Sequence, residues 1–323
     1  MSVSVLMTCH DEESMIEEAI RSVVAQTIFD SVEEIIVVDD GSRDGSRVVL
    51  ERLDREIDKL KIIQTPGLGR PAARNRAVGE ASGEFIALLD GDDFWTPQKL
   101  ERQLPAFGRG ANIGLVYGDF VDFSRDDAAD GRVITVRRFN PESAHQLRDY
   151  FVHDGPIILS TIVVRRSVFD DVGLFDESFL VGQDTEFCLR VATSWRFCHL
   201  PGAFTFKRRH PNQITARLDA VLPNAVRVTQ QFASRHSELR PLAGRRMGRI
   251  HAKVSVDCAM RGEWRKAVHH HLRAIRLAPL YWRAWANVVL LLAPASVVRP
   301  CYEAIKRPWH ALRQSWHSAP PSW

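Results

Sequence analysis

The sequence predicts an α/β fold, in which a mainly parallel sheet is flanked by helices and is followed by an α-helical C-terminal extension. Over the first 100 residues, short apolar runs alternate with amphipathic helical patterns, and this alternation is typical of a doubly wound sheet. Two of the apolar runs end abruptly in acidic clusters, at the position where such sheets bind ligands. After about residue 212 the strand patterns end, and helical patterns rich in Arg and Ala follow.

Four apolar runs in the first 100 residues predict strands, and helical patterns lie between them. The strands are expected at residues 3–7, 35–38, 60–64 and 85–89, and the helices at 11–27, 44–58 and 71–81. The second run is continuously apolar, as expected for a strand that is buried on both faces. Pro71 stands in the first turn of the third helix, where its missing amide is not needed.

Residues 113–205 have a different pattern, in which loops take a larger share. Short runs at 114–121, 133–136 and 159–165 predict mixed strands, and residues 125–131 are expected to form a polar turn.

The distribution of charge divides the chain into two parts. A length of 323 residues is about twice that of an average domain. Residues 1–200 contain 22 Lys and Arg against 35 Asp and Glu, a balance of −13, whereas residues 201–323 contain 21 against 5, a balance of +16. An acidic part suits a bound cation, and a basic part suits an anionic partner. The domains are expected at residues 1–211, with halves at about 1–110 and 111–211, and at residues 212–323.

The cysteines and the apolar runs indicate the compartment. Five cysteines, an odd number, show neither CxxC pairs nor disulfide spacing, which favours a reducing, cytoplasmic compartment. The first residues lack the basic segment of a signal peptide. The longest apolar stretch, residues 286–298, is 13 residues long, whereas a membrane span needs about 20. This stretch is either a buried helix or a helix that lies on a membrane surface.

Acidic clusters follow two of the predicted strands. Asp39 and Asp40 follow the second strand, and Asp90, Asp92 and Asp93 follow the fourth. Parallel pairing would bring both clusters to one edge of the sheet, where carboxylates repel each other unless a cation or hydrogen-bond donors stabilise them. Mg²⁺ or Mn²⁺ binds such sites through one or two carboxylates together with substrate phosphates. The alternative is that these residues only form turns after the strands.

A glycine-rich segment lies between the third strand and the third helix. Residues 67–72 match the wording of a dinucleotide-binding fingerprint. That fingerprint opens the first strand–helix unit of a fold, however, and two such units precede this segment. The basic residues Arg70 and Arg74 near the helix start suit a diphosphate instead. The chain also lacks aromatic residues interleaved with basic ones at strand spacing, so we expect no nucleic-acid partner.

Two further polar positions each have two interpretations. Asp184 precedes apolar positions 187, 188 and 191, which fit a helix packed on the core. It could serve as a general base or as the N-cap of that helix. The basic residues 207–210 could hold phosphates or form a solvated turn.

Four motifs, in this order, resemble glycosyltransferase family two. They read VSVLMTCHDEE, IIVVDDGSRDGS, RPAARNRAVGEASGEFIALLDGDDFWTPQKL and VGLFDESFLVGQDTEFCLRV, within about residues 3–210. The resemblance implies the Rossmann-like GT-A fold and a metal-dependent, inverting glycosyltransferase. The donor would be a nucleotide sugar, UDP- or dTDP-linked, and the acceptor a hydroxyl of a glycan or a lipid-linked acceptor. The implied pathway class is bacterial surface polysaccharide or glycan assembly.

The resemblance also implies roles for individual residues. Asp184 would be the general base, and Asp92 would bind a divalent metal ion, Mn²⁺ or Mg²⁺. The implied nucleotide-binding residues are Asp40 for the base, Asp90 for the ribose-diphosphate, Thr8, His10 and Glu12 for the base pocket, and Arg70 and Arg74.

The sequence departs from the family pattern at three positions, and these departures support an alternative. His10 and Asp11 stand where Tyr and Asn are usual, and Gln183 replaces the Glu of an E-D motif. The alternative is a non-catalytic module that binds a nucleotide sugar or a glycan. A nucleotidyltransferase is a third class, although the chain lacks a Gly-rich first loop. The basic region could pack on the catalytic domain, dimerise, or make peripheral contact with the anionic inner face of the cell membrane, and its charge favours the membrane hypothesis. The pattern indicates no oligomeric state.

Overall fold

The computed structural model describes residues 1–124, 127–140, 142–143, 145–153, 157–179, 181–209 and 218–292. The chain divides into two compact units, Met1–Ile214 and Thr215–Trp323. The sequence-based boundary at residues 211 and 212 lies outside the described residues. Each unit is described by itself.

The first unit alternates strands and helices in its N-terminal part, as the sequence predicts. Its strands are β1 (Val3–Cys9), β2 (Val32–Asp40), β3 (Leu60–Thr65), β4 (Phe85–Asp90), β5 (Phe94–Trp95), β6 (Ile113–Ser124), β7 (Asp127–Ile134), β8 (Val163–Arg165) and β9 (Arg196–Arg209). Its helices are α1 (Ile16–Val24), α2 (Ser46–Glu56), α3 (Arg70–Glu80), α4 (Lys99–Gln103), α5 (Gln146–His153), α6 (Arg166–Val172) and α7 (Gln183–Ser194).

The strands form one mixed sheet in the order β3-β2-β1-β4-β8-β6-β9-β5, and β7 pairs with β6. The pairs β3–β2, β2–β1 and β1–β4 are parallel, and so is β6–β9. Strand β8 runs antiparallel to both of its neighbours. The predicted fold class, a mainly parallel sheet flanked by helices, is confirmed.

The central strands and the helices that cover them are stabilised by the burial of their apolar side chains. Strand β1 is buried along its whole length. Helix α1 buries one apolar stripe, which includes Ile16, Ile20 and Val23, as an amphipathic helix on a sheet must. This helix begins at Ile16 rather than at residue 11 because the preceding backbone is held in another conformation. Asp11 has a φ of 55°, and the amide of Glu12 donates to the hydroxyl of Ser46 at 2.9 Å.

The second half of the sheet differs from the sequence-based expectation in three places. Strand β7 begins at Asp127, inside the stretch expected to be a polar turn. In the expected strand 159–165, Leu159–Thr161 forms a 3-10 turn, and the strand covers only Val163–Arg165. The carbonyl of Ser160 there accepts hydrogen bonds from side chains instead of a neighbouring strand. Strand β9 was not predicted as such and includes basic residues 207–209, so the solvated-turn interpretation is wrong for them; residue 210 lies outside the described residues.

The second unit is helical in its described residues, as the sequence predicts. It consists of α8 (Leu218–Arg235), α9 (Ala243–Met260), α10 (Trp264–Leu277) and α11 (Trp282–Leu292). Small side chains let α9 and α10 approach closely, with Val254, Cys258 and Ala267 in their shared core. Within the described residues, every helix is too short or too polar to cross a bilayer. The apolar stretch 286–298 extends beyond the described residues.

A buried carboxylate joins three segments of the first unit. Glu34 on β2 is 1% exposed, and it accepts hydrogen bonds from the hydroxyls of Ser4 (2.8 Å) and Ser82 (2.7 Å). Lys61 on β3 forms an ion pair with the same carboxylate. Burial by itself raises the pKa of Glu34, but the hydrogen bonds from Lys61, Ser82 and Ser4 outweigh it and lower the pKa to about 2.

We expect Glu34→Gln to change how stability depends on pH. A carboxyl whose pKa is lowered by folding stabilises the protein above its ordinary pKa of 4.5, and this contribution is lost as the pH falls towards about 2. Between neutral pH and pH ~3, the wild type should lose roughly 2 kcal/mol more of its unfolding free energy than Glu34→Gln. Urea unfolding measures this difference. The exposed neighbour Glu33 provides the control, because Glu33→Gln should follow the wild type; identical pH curves for all three proteins would contradict the prediction.

Candidate active site

Three parallel strands end together at one edge of the sheet. Thr8 on β1 pairs with Val38 on β2 and with Asp90 on β4, and Cys9 pairs with Asp39. The two acidic clusters therefore lie at the same sheet edge, as parallel pairing predicts. The first-strand position Thr8 lies beside the first residue of the second cluster.

The carboxylates of Asp90, Asp92 and Asp93 form one compact group. One oxygen from each lies within 4.8 Å of the others. Asp93 is fully engaged by the chain itself, because it accepts hydrogen bonds from the hydroxyl of Ser160 at 2.6 Å and from the amide of Arg208 at 3.0 Å. Burial, and then the charges of Asp92 and Asp90, raise the pKa of Asp93 well above its usual range. Asp93 thus supports the loop that carries the other two carboxylates.

Asp90 is stabilised by basic side chains. The buried guanidinium of Arg74 on α3 forms an ion pair with it. Burial acts to raise the pKa of Asp90, but the charges of Arg74 and Arg70 outweigh it, so the pKa lies below its usual range. Lys207 on β9 contributes in the same direction. Nη1 of Arg74 is buried and has no hydrogen-bond partner within the described residues. The site therefore contains a buried cationic donor beside an ionised carboxylate.

Glu12 lies at the acidic cluster. Its side chain is 8% exposed, and its Oε2 has no hydrogen-bond partner in the part of the chain that the structure describes. This oxygen lies against the backbone of Gly91, where a Cβ would overlap it. Burial first, and then the charges of Asp92 and Asp90, raise the pKa of Glu12 well above its usual range.

The residues at this edge fit a divalent metal ion. Three carboxylates and a fourth, buried carboxyl oxygen without a partner are concentrated around Gly91. A hard cation with oxygen ligands would compensate the repulsion between them.

The carboxylate of Asp40 holds the loop that precedes α3. It accepts hydrogen bonds from the hydroxyl of Thr65 (2.7 Å) and from the amides of Leu68 (2.6 Å) and Gly69 (2.8 Å). Gly69 has a φ of 91°, a backbone conformation that favours glycine. In the segment that matches the dinucleotide fingerprint, two amides therefore bind a carboxylate of the protein itself.

His10 lies at the same sheet edge, directly after β1. Its Nδ1 is 2.8 Å from the carbonyl oxygen of Asp40, and its ring is partly exposed. Thr8, His10 and Asp40 therefore lie at the ends of β1 and β2, where the family resemblance predicts a base pocket.

Asp184 lies in the first turn of α7. The N-cap of this helix is Gly182, with a φ of 78°, so the N-cap interpretation of Asp184 is wrong. The carboxylate accepts a hydrogen bond from the amide of Thr185 at 2.9 Å. The apolar positions after it are buried as expected, including Phe187 and Val191. The role of Asp184 as a general base stays a prediction.

Two supporting residues were missed or left undecided by the sequence analysis. Arg208 on β9 donates from Nε to the carbonyl of Asp92 at 3.1 Å and forms an ion pair with Glu18 of α1. Ser160 accepts a hydrogen bond from the amide of Asp90 at 3.2 Å. Arg208 could have been recognised in the sequence as a basic residue at alternating spacing in a strand. No sequence pattern indicates Ser160.

A second acidic group, in the second unit, is neutralised by basic residues. Asp219, Cys258 and Glu263 lie close enough to hold an ion. Arg261 contacts Asp219 at 3.1 Å and Glu263 at 3.0 Å, and Lys266 contacts Glu263 at 2.7 Å. These ion pairs explain the group without a metal.

Comparison with known proteins identifies the family. A family model described as Glycosyl transferase family 2 matches residues 4–173, more than half of the 323 residues. The chain belongs to glycosyltransferase family 2. The match covers β1 to β8 and the whole acidic cluster, so the predicted family is confirmed, whereas the fourth motif, which includes Asp184, lies almost entirely beyond the matched residues.

Curated relatives of this family 2 chain come from archaea and bacteria. Glycosyltransferase AglE of Haloferax volcanii is 29% identical over 190 residues, which are 58% of this chain and 60% of that protein. The UDP-Glc:alpha-D-GlcNAc-diphosphoundecaprenol beta-1,3-glucosyltransferase WfgD of Escherichia coli is 40% identical over 119 residues, 36% of this chain and 45% of that protein. The matched segments span about half the length of these relatives.

Solved structures of similar fold support the architecture of the family 2 chain. S. aureus TarS 1-349 in complex with UDP-GlcNAc has a TM-score of 0.60 at 17% identity, over 86% of this chain and 81% of that one. Mannosyltransferase PcManGT from Pyrobaculum calidifontis, in complex with GDP-Man and Mn²⁺, has a TM-score of 0.58 at 18% identity, over 96% and 82%. At these identities the similarity establishes the fold, and the predicted GT-A fold is confirmed.

We expect Gly91→Ala to weaken metal binding. A Cβ at this position would displace Glu12 and would lie 3.0 Å from the carbonyl oxygen of Thr8, so the loop that carries Asp92 must shift. Such a change should weaken Mn²⁺ binding about tenfold or more, which electron paramagnetic resonance of free Mn²⁺ measures directly. Gly79→Ala on α3 is the matched control, because nothing lies within 4 Å of the added methyl group; equal Mn²⁺ affinity in both variants would contradict the assignment.

Proposed function

We propose that this chain transfers a sugar from a nucleotide-sugar donor to an acceptor hydroxyl. The observation that carries the proposal is the buried guanidinium of Arg74 beside the acidic cluster, with one nitrogen unpaired within the described residues. A site that offers carboxylates to a cation and guanidinium groups to phosphates suits a nucleoside diphosphate. Membership in glycosyltransferase family 2 supports the same function.

The donor would bind across the strand ends. Thr8, His10, Glu12 and Asp40 would line the base pocket, and His10 supplies a partly exposed ring for stacking. Arg70 and Arg74 would contact the diphosphate, because both already lower the pKa of Asp90 electrostatically. We propose a UDP- or dTDP-linked sugar, and the UDP-GlcNAc complex of a protein with the same fold supports this class of donor.

Asp92 would hold a divalent metal ion, and Asp90 would contact the ribose-diphosphate. Mn²⁺ in the PcManGT complex supports Mn²⁺ or Mg²⁺ at such a site. When bound, such an ion offsets negative charge on the diphosphate leaving group. The protein prepares this position before the donor arrives. Asp93 is anchored by hydrogen bonds from Ser160 and Arg208, which hold the backbone next to Asp92 in place.

Asp184 would act as the general base in a single displacement with inversion. In this mechanism the carboxylate accepts the proton of the acceptor hydroxyl while the oxygen attacks the anomeric carbon, and the bond to the diphosphate breaks. The position of Asp184 in the first turn of α7 supports an ionised carboxylate, because a helix N-terminus favours negative charge.

The acceptor and the cellular location are proposed at the level of class. We propose a glycan or lipid-linked acceptor in surface polysaccharide or glycan assembly, and WfgD, whose name specifies a diphosphoundecaprenol acceptor, supports this class. We place the reaction in the cytoplasm at the inner face of the membrane. The thiols of Cys9, Cys198 and Cys258 are buried and form no disulfide within the described residues, which supports a reducing compartment.

We expect Asp92→Ala to abolish metal-dependent turnover. The purified chain is incubated with a panel of nucleotide sugars and Mn²⁺, and release of nucleoside diphosphate is measured with and without chelator. Removing a carboxylate that holds the ion should lower the rate by about 10²-fold or more. Asp54→Ala, at an exposed position of α2, is the control. Full turnover by Asp92→Ala in the presence of chelator would contradict the proposal that Asp92 binds the metal ion. Donor binding without release of diphosphate by the wild type would favour the non-catalytic binding module, and release of sugar 1-phosphate would favour a nucleotidyltransferase.

We expect Asp184→Asn to separate binding from chemistry. The amide cannot accept the acceptor proton, so transfer should fall by about 10²–10⁴-fold, whereas the dissociation constant of the donor should stay the same by calorimetry. Asp170→Asn, at an exposed position of α6, is the matched control. Unchanged transfer in Asp184→Asn would remove this residue from the mechanism. The anomeric configuration of the product, read by nuclear magnetic resonance, tests inversion separately.

A further inference from the structure

Exposed apolar side chains are concentrated in one segment of the second unit. Leu280 is 97% exposed, Trp282 68% and Leu272 62%. Together with two further exposed residues they form what we name the α10–α11 surface. Its members are Val268, Leu272, Leu280, Trp282 and Trp285.

The first unit shows no such concentration in its described residues. Its large exposed apolar side chains are far apart in sequence, and single residues of this kind are normal on a protein surface. They are Met1, Val48, Leu68, Val133 and Leu174. The α10–α11 surface therefore needs an explanation that the others do not.

The geometry of α10 places its exposed apolar residues on one side of the helix. Val268 and Leu272 are four residues apart, and this spacing puts both on the same face. The opposite face packs against α9 through Ala267 and Ala274, which are fully buried. Helix α10 is therefore amphipathic, and its exposed face carries apolar residues among basic ones.

Two exposed tryptophans follow beyond the end of α10, on α11. The indole nitrogen of Trp285 donates a hydrogen bond to the carbonyl of Pro279 at 2.7 Å, which fixes the ring beside the turn between the helices. The guanidinium of Arg283 lies 5.5 Å from the centre of the Trp282 ring. Tryptophan and arginine side by side are typical of the boundary between lipid headgroups and acyl chains.

The charge of the segment has one sign. Residues 264–292 contain five Lys and Arg and no Asp or Glu. Four of these five side chains are exposed arginines, namely Arg265, Arg273, Arg276 and Arg283. The partner of this surface should therefore combine negative charge with an apolar layer beneath it.

We propose that the α10–α11 surface docks on an anionic phospholipid bilayer. Leucine and tryptophan would enter the headgroup boundary, and the arginines would contact lipid phosphates. A second copy of the chain is a poorer partner, because a symmetric contact would bring the same arginines against each other. The inference does not rest on the proposed donor, metal or base.

Vesicle sedimentation of the full chain tests the docking surface. We expect the wild type to pellet with vesicles of phosphatidylcholine and phosphatidylglycerol at low salt, to remain in solution with phosphatidylcholine alone, and to be released at high salt. Arg276→Gln and Arg283→Gln should each lower the partition coefficient roughly fivefold. The double variant Trp282→Ser/Trp285→Ser should lower it about tenfold or more.

Control variants distinguish vesicle binding through the α10–α11 surface from the effect of removing any exposed apolar side chain. Val48→Ser and Leu174→Ser remove exposed apolar side chains of the first unit and should bind vesicles like the wild type. Circular dichroism checks that each variant is folded, and release of nucleoside diphosphate checks the active site independently. A wild type that lacks transferase activity but pellets with anionic vesicles would refute the proposed function and leave the docking surface standing.

One result would overturn the proposal, and a second measurement would then identify the partner of the surface. Wild-type protein that stays in the supernatant with anionic vesicles at low salt excludes membrane docking. If light scattering then shows a dimer that Trp282→Ser/Trp285→Ser converts to a monomer, the surface belongs to a second copy of the chain.

Discussion

Repulsion among carboxylates at one sheet edge is the constraint on which the rest of the active-site architecture depends. Parallel pairing of β1 and β4 brings Thr8 to Asp90, and the turn after β4 adds two more acidic side chains. The protein compensates this charge with Arg74 from α3, and with Ser160 and the amide of Arg208 at Asp93. Helix α3, the 3-10 turn before β8 and strand β9 are therefore all required at the same edge.

The same compensation prepares the site for a ligand with both signs of charge. The pKa of Asp90 is lowered by arginines, whereas those of Glu12 and Asp93 are raised by burial and neighbouring carboxylates. The cluster therefore carries less negative charge than its number of acidic residues suggests. In a metal–diphosphate complex, the metal ion would replace the basic partners of the carboxylates, and the phosphates would replace the acidic partners of the arginines. Binding would therefore need little rearrangement of the backbone.

The sequence predicted those parts of the fold that depend on local patterns. Continuous apolar runs predicted β2 and β4, and the acidic residues directly after them predicted the sheet edge. Strand β9 was harder to predict because Pro201 and Gly202 are typical of a turn, whereas the strand continues beyond them with an irregular register against β6. The positions of Glu12 and Ser160 depend on contacts between segments far apart in sequence. No spacing rule can reveal such contacts, since burial of a polar group is decided by the assembled sheet.

The three hydrogen bonds at Asp40 have a consequence for mutational studies of this position. One carboxylate closes the loop from Thr65 to Gly69 and so determines where α3 begins. Replacing it releases two backbone amides and disturbs the helix that carries Arg74. In a mutational scan Asp40 would therefore score as intolerant even in assays that never present a nucleotide. Its sensitivity would report the integrity of the loop and of the start of α3.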